Sequence, residues 1–246
     1  MGRISSLVRR FGYRSYFGLV ALNYRYRLFA RHNHTPAGSF RCYELFNRHG
    51  DDPMLAAAGE ACGPSDVVYD VGANVGVYAL ALAAGSPDRR VFAFEPSPQT
   101  VGHLRANVER NELADRIAVR PQGLGAESGE ATFYVSTYPE LSGFDCESAT
   151  RWEATVADTV QVPVTTLDRV VSEGPEPDVV KLDVEGAGPD VLAGGRETLE
   201  SVSPTLFIEV HEEGLSDQLV AEMKTVLEEV GYHIDEREGY WRCTTS

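Results

Sequence analysis

The sequence predicts an α/β fold in which a mostly parallel sheet carries helices on both faces, preceded by an N-terminal helical extension. After residue 65 the chain alternates short β-rich runs with helical stretches, a pattern typical of parallel sheets. Its 246 residues, of which 43% are apolar, suffice for one sizeable core. The first 41 residues contain eight arginines and no acidic residue. We therefore divide the chain into a basic aromatic extension, 1–42, and a single domain, 43–246.

Apolar and β-rich runs predict the strands of the sheet, and longer stretches with apolar residues at helical spacing predict the helices. Strands are expected at 66–71, 90–95, 117–120, 131–135, 160–164, 179–184 and 205–210. Helices are expected at 75–84, 99–111, 189–199 and 217–230. Asp168, which follows the strand at 160–164, is expected to cap a helix that begins near Arg169.

Composition excludes several classes of protein. No run approaches the roughly 18 uncharged apolar residues of a membrane-spanning helix. The four cysteines are dispersed without a CxxC pair, so neither a zinc site nor a disulfide framework is indicated. We expect a reducing, cytoplasmic location.

The net charge of −15 makes nucleic acid an unfavourable partner. Only Lys181 and Lys224 are lysines. An acidic, lysine-poor surface is a known adaptation to high salt, so we hypothesise a halophilic source and a stability that rises with ionic strength.

The N-terminal extension allows two interpretations. Ile4, Leu7, Val8 and Phe11 follow helical spacing, and a basic amphipathic helix can lie on an anionic membrane at the inner face of the cell envelope. Alternatively, the extension docks its aromatic face on the domain while its arginines meet the acidic body. Both interpretations stay open at this stage.

Chemistry-bearing residues follow the predicted strands, where ligands of parallel sheets bind. The first strand leads into a loop with Gly72, Asn74 and Gly76, whose backbone can approach a ligand closely. Its GxNxG spacing differs from the GxGxxG of dinucleotide sites, and Asp70 before it favours a cation over a pyrophosphate. Glu95, after the second strand, can accept both hydroxyls of a ribose. The combination favours a cationic nucleoside.

Five segments together resemble the FkbM family of S-adenosylmethionine-dependent methyltransferases. They are VYDVGANVG at 68–76, VFAFEP at 91–96, VTTLD at 164–168, VKLDVEG at 180–186 and IEVH at 208–211. The resemblance implies a class I methyltransferase, Rossmann-like fold with a seven-stranded sheet. It also implies methyl transfer, usually to oxygen, on sugars, other secondary metabolites or cell-surface glycans. The acceptor is then a small molecule or a glycan, free or, in view of the basic extension, lipid-linked. The extension and residues 136–158 lie outside the shared segments, so we expect them to select the acceptor.

The resemblance also implies roles for individual residues. Asp70, Gly72, Asn74 and Gly76 would lie against the methionine part of S-adenosylmethionine. Glu95, followed by Pro96, would bind the ribose. The adenine would meet the pair that follows the third strand, Gln122 and Gly123. The boundary between cofactor and acceptor would be lined by three residues after the next strand, Asp183, Glu185 and Gly186.

His211 is the first candidate for the base that takes the acceptor proton, because its pKa lies near working pH. Asp183, Glu185 or Glu209 would orient His211 or replace it. His211 could instead position the acceptor or serve the structure alone. A divalent ion on Asp183, Glu209 and His211 has suitable ligand types, but nothing in the spacing requires one, so we expect no metal.

Other interpretations remain open. An NAD-dependent oxidoreductase or epimerase would use the same first strands and Glu95, although GxGxxG and a YxxxK pair are absent. A non-catalytic nucleoside-binding protein is a third class. Lys181, within an apolar strand, is expected to pair with an acid or to extend to the sheet edge. The aperiodic stretch 138–151 is either a mobile lid over the acceptor or a disordered loop.

Overall fold

The structure, a computed structural model, describes residues 2–151, 154–184, 186–210 and 217–245. The strands in these ranges are β1 (Arg31–Thr35), β2 (Gly38–Cys42), β3 (Val67–Val71), β4 (Arg90–Phe94), β5 (Ile117–Arg120), β6 (Gly123–Leu124), β7 (Gly129–Ser136), β8 (Val156–Thr165), β9 (Val179–Leu182), β10 (Thr205–Glu209), β11 (Tyr232–Arg237) and β12 (Tyr240–Thr245). The helices are α1 (Gly2–Tyr26), α2 (Pro53–Ala61), α3 (Val77–Gly85), α4 (Pro98–Arg110), α5 (Cys146–Ala149), α6 (Leu167–Glu173), α7 (Gly188–Ala193), α8 (Arg196–Ser201) and α9 (Asp217–Glu229).

The central sheet has seven strands in the order β11-β12-β10-β9-β3-β4-β5. The pairs from β10 to β5 are parallel, and β12 pairs antiparallel with both β10 and β11. The mostly parallel sheet is therefore confirmed. All residues of β3 and β9 are buried, which explains why these two strands read as continuous apolar runs.

Two predicted strands do not belong to this sheet. β7 and β8 pair antiparallel with each other and form a separate sheet in the order β6-β8-β7. The sequence also gave no signal for the hairpin of β1 and β2, for α2, or for β11 and β12. The side chains of Phe40 and Cys42 in β2 lie in the main core beside α3, so the last part of the predicted extension packs with the domain.

The predicted helix at 189–199 is interrupted, because α7 ends before Gly194 and α8 begins after Gly195. A Cβ on Gly194 would lie 2.1 Å from the carbonyl oxygen of Gly125, so this tight crossing admits only glycine. The prediction for Asp168 was also wrong. Thr166 caps α6, whereas the carboxylate of Asp168 accepts hydrogen bonds from the backbone of α8, from Glu197 N at 3.2 Å and Thr198 N at 2.7 Å.

α1 docks one face on the domain, as one of the two interpretations of the extension expected. Val20 and Tyr24 are buried against Tyr43 and neighbouring residues, and Asn107 donates a 2.9 Å hydrogen bond to the Tyr24 hydroxyl. The predicted contact between arginines and acidic residues occurs at the Arg27–Glu109 ion pair. None of the helices in the described ranges combines the length and hydrophobicity that crossing a bilayer requires.

Candidate active site

A cavity of about 680 Å³ opens at the carboxyl ends of β3, β4 and β9. The strand ends form one side of the cavity. A second side comes from residues 139–144, which we call the outer wall. The described residues that line the cavity include Gly72, Asn74, Glu95, Pro96, Gly123, Leu124, Phe133, Phe144, Asp183 and Val184.

The loop after β3 turns through three residues with positive φ, and the space that its glycines leave is filled by protein atoms. Gly72 and Gly76 have φ of 76° and 92°, and Asn74 has φ of 49°, a region that favours glycine and tolerates asparagine. A Cβ on Gly72 would lie 1.8 Å from the carbonyl oxygen of Asp183. A Cβ on Gly76 would lie 2.3 Å from the side chain of Leu104. Gly72 and Asn74 border the cavity, whereas Gly76 lets α3 pack on α4.

Glu95 lies on the cavity wall and is almost fully buried. Its Oε2 accepts a 3.0 Å hydrogen bond from Asn74 N, and its Oε1 accepts a 2.9 Å bond from Ser97 N. Burial raises its pKa to about 7, although these two N–H groups act in the opposite direction. A carboxylate offers about four acceptor positions, so acceptor capacity remains for a pair of ligand hydroxyls.

Asp70 does not line the cavity, and this corrects the prediction that its carboxylate touches a ligand. Successive side chains of a strand alternate between the two faces of the sheet. Asp70 therefore shares the α3 face with Val68, while Val71 faces the other core. Its Oδ2 accepts a 3.0 Å hydrogen bond from Ala79 N, one of the first-turn amides of α3 that lack a partner within the helix.

Lys181 contacts residues at the ends of β3 and β9. Its Nζ lies 3.2 Å from Asp70 Oδ1 and 3.4 Å from Asp183 Oδ2, and it donates a 2.9 Å hydrogen bond to Gly72 O. The expected pairing with an acid is confirmed. Burial lowers the pKa of Lys181, but the carboxylates of Asp70, Asp183 and Glu209 outweigh that effect and raise the pKa overall.

A pair of carboxyl groups stands beside the cavity. Asp183 follows β9 and lines the cavity, while Glu209 ends the neighbouring strand β10 and hydrogen-bonds Asp183. Glu209 also lines a smaller pocket that shares Val184 with the main cavity. Burial and the nearby charge of Asp183 raise the pKa of Glu209 to about 8. The pair therefore holds a proton near neutral pH.

A cluster of Tyr78, Asp52 and His49, which no sequence motif indicated, lies next to this pair. The Tyr78 hydroxyl lies 2.9 and 3.0 Å from the two carboxylate oxygens of Asp52, and His49 Nδ1 lies 2.7 Å from Asp52 Oδ2. The charge of Asp52 contributes to the raised pKa of Glu209. Burial and Asp52 also raise the pKa of Tyr78. The sequence Asp52-Pro53 is typical of the start of a helix. It could have predicted a carboxylate at the beginning of α2.

The far end of the cavity is apolar. Phe133 and Phe144 meet edge to face with ring centroids 5.3 Å apart. A Cβ on Gly123 would lie 2.6 Å from the ring of Phe144, so only a glycine at this position leaves room for the ring. Gln122, expected beside Gly123 at the same ligand, is not among the lining residues. No spacing in the sequence pointed to the two phenylalanines.

Residues 138–151 are folded, so the expectation of a disordered loop was wrong. Pro139–Leu141 forms a short 3-10 helix, and Asp145 caps α5 through hydrogen bonds from Glu147 N and Ser148 N. Tyr138 and Leu141 are buried. The segment thus occupies the position expected of a lid.

Two predicted catalytic residues, Glu185 and His211, lie outside the described residues. Gly186 is described and has φ of 78°. Within the described ranges, no three His, Cys, Asp or Glu side chains come together as a metal site would require.

Comparisons with known proteins identify the family of this chain. The methyltransferase FkbM domain matches residues 70–234. Hexuronic acid methyltransferase AglP of Haloferax volcanii is 31% identical over 171 residues, which cover 69% of this chain and 66% of AglP, just under two thirds of its length. The 31-O-demethyl-FK506 methyltransferase FkbM of Streptomyces tacrolimicus is 30% identical over 184 residues, covering 64% of this chain and 70% of that protein.

A solved structure supports the fold. Methyltransferase FkbM of Methylobacillus flagellatus superposes with a TM-score of 0.53 at 21% identity, covering 73% of this chain and 43% of that one. The predicted class I methyltransferase fold is confirmed. Because the family match spans well over half of the chain, the chain belongs to the FkbM family of methyltransferases, and its cofactor is S-adenosylmethionine.

Proposed function

We propose that this methyltransferase acts on a hydroxyl group of a sugar, a glycan or a related metabolite. The observation that carries the proposal is the placement of two kinds of carboxyl group around one cavity. Glu95 lies beside the glycine loop, and the Asp183–Glu209 pair lies beyond the end of β9. Glu95 suits the binding of a ribose, and the Asp183–Glu209 pair suits the transfer of a proton. AglP is a hexuronic acid methyltransferase and the Streptomyces enzyme is a 31-O-demethyl-FK506 methyltransferase, and both relatives support an oxygen acceptor.

The residues present fit S-adenosylmethionine. The remaining acceptor capacity of Glu95 suits the two ribose hydroxyls, and Gly72 and Asn74 border the cavity beside it. The apolar end formed by Leu124, Phe133 and Phe144 suits a flat adenine ring. When bound, the cofactor supplies a methyl group on a positively charged sulfur.

The proposed task of Asp183 and Glu209 is to accept the proton of the acceptor hydroxyl. A general base works best when its pKa lies near the operating pH, and the pKa of Glu209 is about 8. Asp183 lines the cavity and hydrogen-bonds Glu209, so the carboxylate that stays ionised while the pair holds one proton can take the proton of the acceptor hydroxyl. His211 remains a candidate for the same task.

Titration calorimetry tests the cofactor part of this proposal. We expect S-adenosylhomocysteine to bind wild-type protein in the micromolar range and NAD not to bind. We expect Glu95→Gln to weaken S-adenosylhomocysteine by about tenfold or more, since a hydrogen bond to a charged group contributes about 1.5–3 kcal/mol. Glu130→Gln, an exposed change on β7, is the matched control. Binding of NAD alone would instead favour an oxidoreductase.

Transfer of labelled methyl groups tests the acceptor part. Free hexuronic acids, neutral sugars and lipid-linked glycans are offered, and alkaline hydrolysis of the products separates methyl ethers from methyl esters. Methyl ethers would support the proposal, whereas esters would assign a carboxylate acceptor. Retained S-adenosylhomocysteine binding with no transfer to any acceptor would favour a non-catalytic nucleoside-binding protein.

We also propose a cytoplasmic location. The four cysteines are free thiols, and Cys42, Cys62 and Cys243 are buried, which suits a reducing compartment. Fractionation of the source cells with a cytoplasmic marker tests the location.

A further inference from the structure

α1 exposes an apolar stripe on the face that points away from the domain. Leu19, Leu22 and Tyr26 are 60%, 51% and 58% exposed, and their spacing of three and four residues places them on one side of the helix. Val20 and Tyr24 are buried on the opposite side. We call Leu19, Leu22 and Tyr26 the outer stripe.

The exposed apolar surface extends beyond the helix. Leu28 and Phe29, which follow α1, are 69% and 61% exposed. Monomeric soluble proteins rarely leave contiguous apolar patches of this kind uncovered, so a partner for this face is indicated.

The charge around the stripe selects that partner. The first 41 residues carry eight arginines and no acidic residue, in a chain whose net charge is −15. The Arg25 guanidinium lies 5.5 Å from the centre of the Tyr26 ring, directly at the stripe. A second copy of the chain would bring two arginine-rich helices together, which like charge opposes. An anionic surface with an apolar interior satisfies both the arginines and the stripe.

We propose that α1 lies in the surface of an anionic lipid bilayer, with the outer stripe inserted among the lipid chains and the arginines at the headgroups. The opposite face of the helix keeps its contacts with the domain. The helix lies on the bilayer and does not cross it.

This placement brings the bilayer close to the cavity. The Tyr13 ring stacks on Tyr138 with centroids 4.7 Å apart, and Phe17 packs on the cluster that contains Tyr138 and Leu141. Arg48 lies over the ring of Tyr16 and forms an ion pair with Glu140 of the outer wall. α1 is therefore in contact with the wall of the cavity. The acceptor is therefore a sugar that a lipid carries at the membrane surface. This identification of the acceptor rests on the proposed function.

Co-sedimentation of the full chain with vesicles tests this inference. One vesicle type contains phosphatidylcholine with about 30% phosphatidylglycerol, and the other contains phosphatidylcholine alone. We expect binding to the anionic vesicles only, with a loss of about tenfold or more in partitioning when salt rises from about 0.1 M to 1 M. Absence of binding to anionic vesicles at low salt would overturn the inference.

Two triple variants test the contribution of the outer stripe to vesicle binding while every arginine is left unchanged. Leu19→Ser with Leu22→Ser and Tyr26→Ser should reduce partitioning by about tenfold or more, because the apolar area of these side chains would no longer be buried in the bilayer. Leu19→Met with Leu22→Met and Tyr26→Phe, the matched control, should bind as wild type does. Equal binding of all three proteins would overturn the inference. Gel filtration adds a second criterion, since a wild-type dimer that the serine variant dissolves would assign the stripe to a second copy.

Calorimetry with S-adenosylhomocysteine keeps the two proposals apart. The serine variant should bind S-adenosylhomocysteine with wild-type affinity, because none of its changes lies at the cavity. Vesicle binding without S-adenosylhomocysteine binding would refute the proposed function alone, whereas the reverse would refute the membrane inference alone.

Discussion

Lys181 and Asp70 form an ion pair, with 3.2 Å between Nζ and Oδ1, although both side chains are almost wholly buried. The pair lies beneath the loop whose Gly72 carbonyl accepts a hydrogen bond from the same ammonium. Burying two charges costs free energy that only close pairing and further hydrogen bonds offset. The pair therefore stabilises one arrangement of the strand ends more than it stabilises the fold as a whole.

Removing one partner of this pair should be strongly destabilising. We expect Lys181→Met to lower the free energy of unfolding by about 3–5 kcal/mol, because it leaves the Asp70 carboxylate buried without a counter-charge. Adding Asp70→Asn to that variant should restore part of the loss, since asparagine can still accept the bond from Ala79 N. Urea unfolding of wild type, Lys181→Met, Asp70→Asn and the double variant closes the cycle. A single variant within about 1 kcal/mol of wild type would contradict this account.

The affinity for S-adenosylhomocysteine should depend on pH through Glu95. Its pKa of about 7 leaves much of the carboxyl protonated below neutrality, whereas two ribose hydroxyls need the ionised acceptor. Affinity should therefore rise between about pH 6 and pH 8, with release of a proton on binding. Calorimetry in two buffers of different ionisation enthalpy measures that proton. Glu95→Gln should bind more weakly and lose the dependence, and a flat wild-type profile would count against a ribose at Glu95.

The raised pKa of Glu209 should also appear in the pH dependence of stability. Between the ordinary value of 4.5 and about 8, the unfolded chain releases this proton while the folded chain retains it. Stability from this group is thus fully present below about pH 4.5 and lost as pH rises toward 8. Glu209→Gln lacks the effect. We expect the free energy of unfolding of this variant, measured with urea, to increase relative to that of wild type as pH rises from 5 to 8. A difference that stays constant over this range would refute the raised pKa of Glu209.

A pair of glycine substitutions separates close packing from conformational entropy. Gly72→Ala should destabilise the protein by more than about 1 kcal/mol, because its Cβ would lie 1.8 Å from Asp183 O at a φ of 76°. Gly102→Ala, in the middle of α4 with no atom within 4 Å of the new Cβ, should stabilise it by about 0.5–1 kcal/mol. Thermal unfolding measures both. Equal effects of the two changes would mean that the crowding at Gly72 is relieved.

Salt should raise the melting temperature. A net charge of −15 opposes compaction by self-repulsion, and salt screens that repulsion. We expect a steady rise between about 0.05 M and 1 M potassium chloride, larger than that of a protein of similar size near zero net charge. A melting temperature independent of salt would remove the halophilic hypothesis.

The sequence predicted the central strands because their burial is visible in composition. Val67–Val71 and Val179–Leu182 are buried along their whole length, and this produces apolar runs. Arg31–Thr35 is largely polar and forms a two-stranded hairpin at the surface, so no run marks it. β7 pairs with β8 across a long intervening segment. Which sheet a strand joins depends on such long-range contacts, and the local sequence pattern carries no information about them.

The candidate site was predictable to the extent that it lies at strand ends. Glu95 and the glycine loop follow this rule, and the structure brings both to the cavity. Asp70 follows it too, but the alternation of the strand turns its side chain toward α3. Phe144 and Asp52 reach the site from segments that are remote in sequence, and only the folded chain brings them there.

The contact between Gly72 and the Asp183 peptide has a consequence for ligand exchange. Gly72 N and Ala73 N both donate to Phe94 O, and Asp183 N donates to Val71 O, so the three strand ends interlock and cannot separate without breaking the sheet. The side of the cavity that the strand ends leave free is bordered by residues 139–144, and Phe17 of α1 packs on the cluster that contains Leu141.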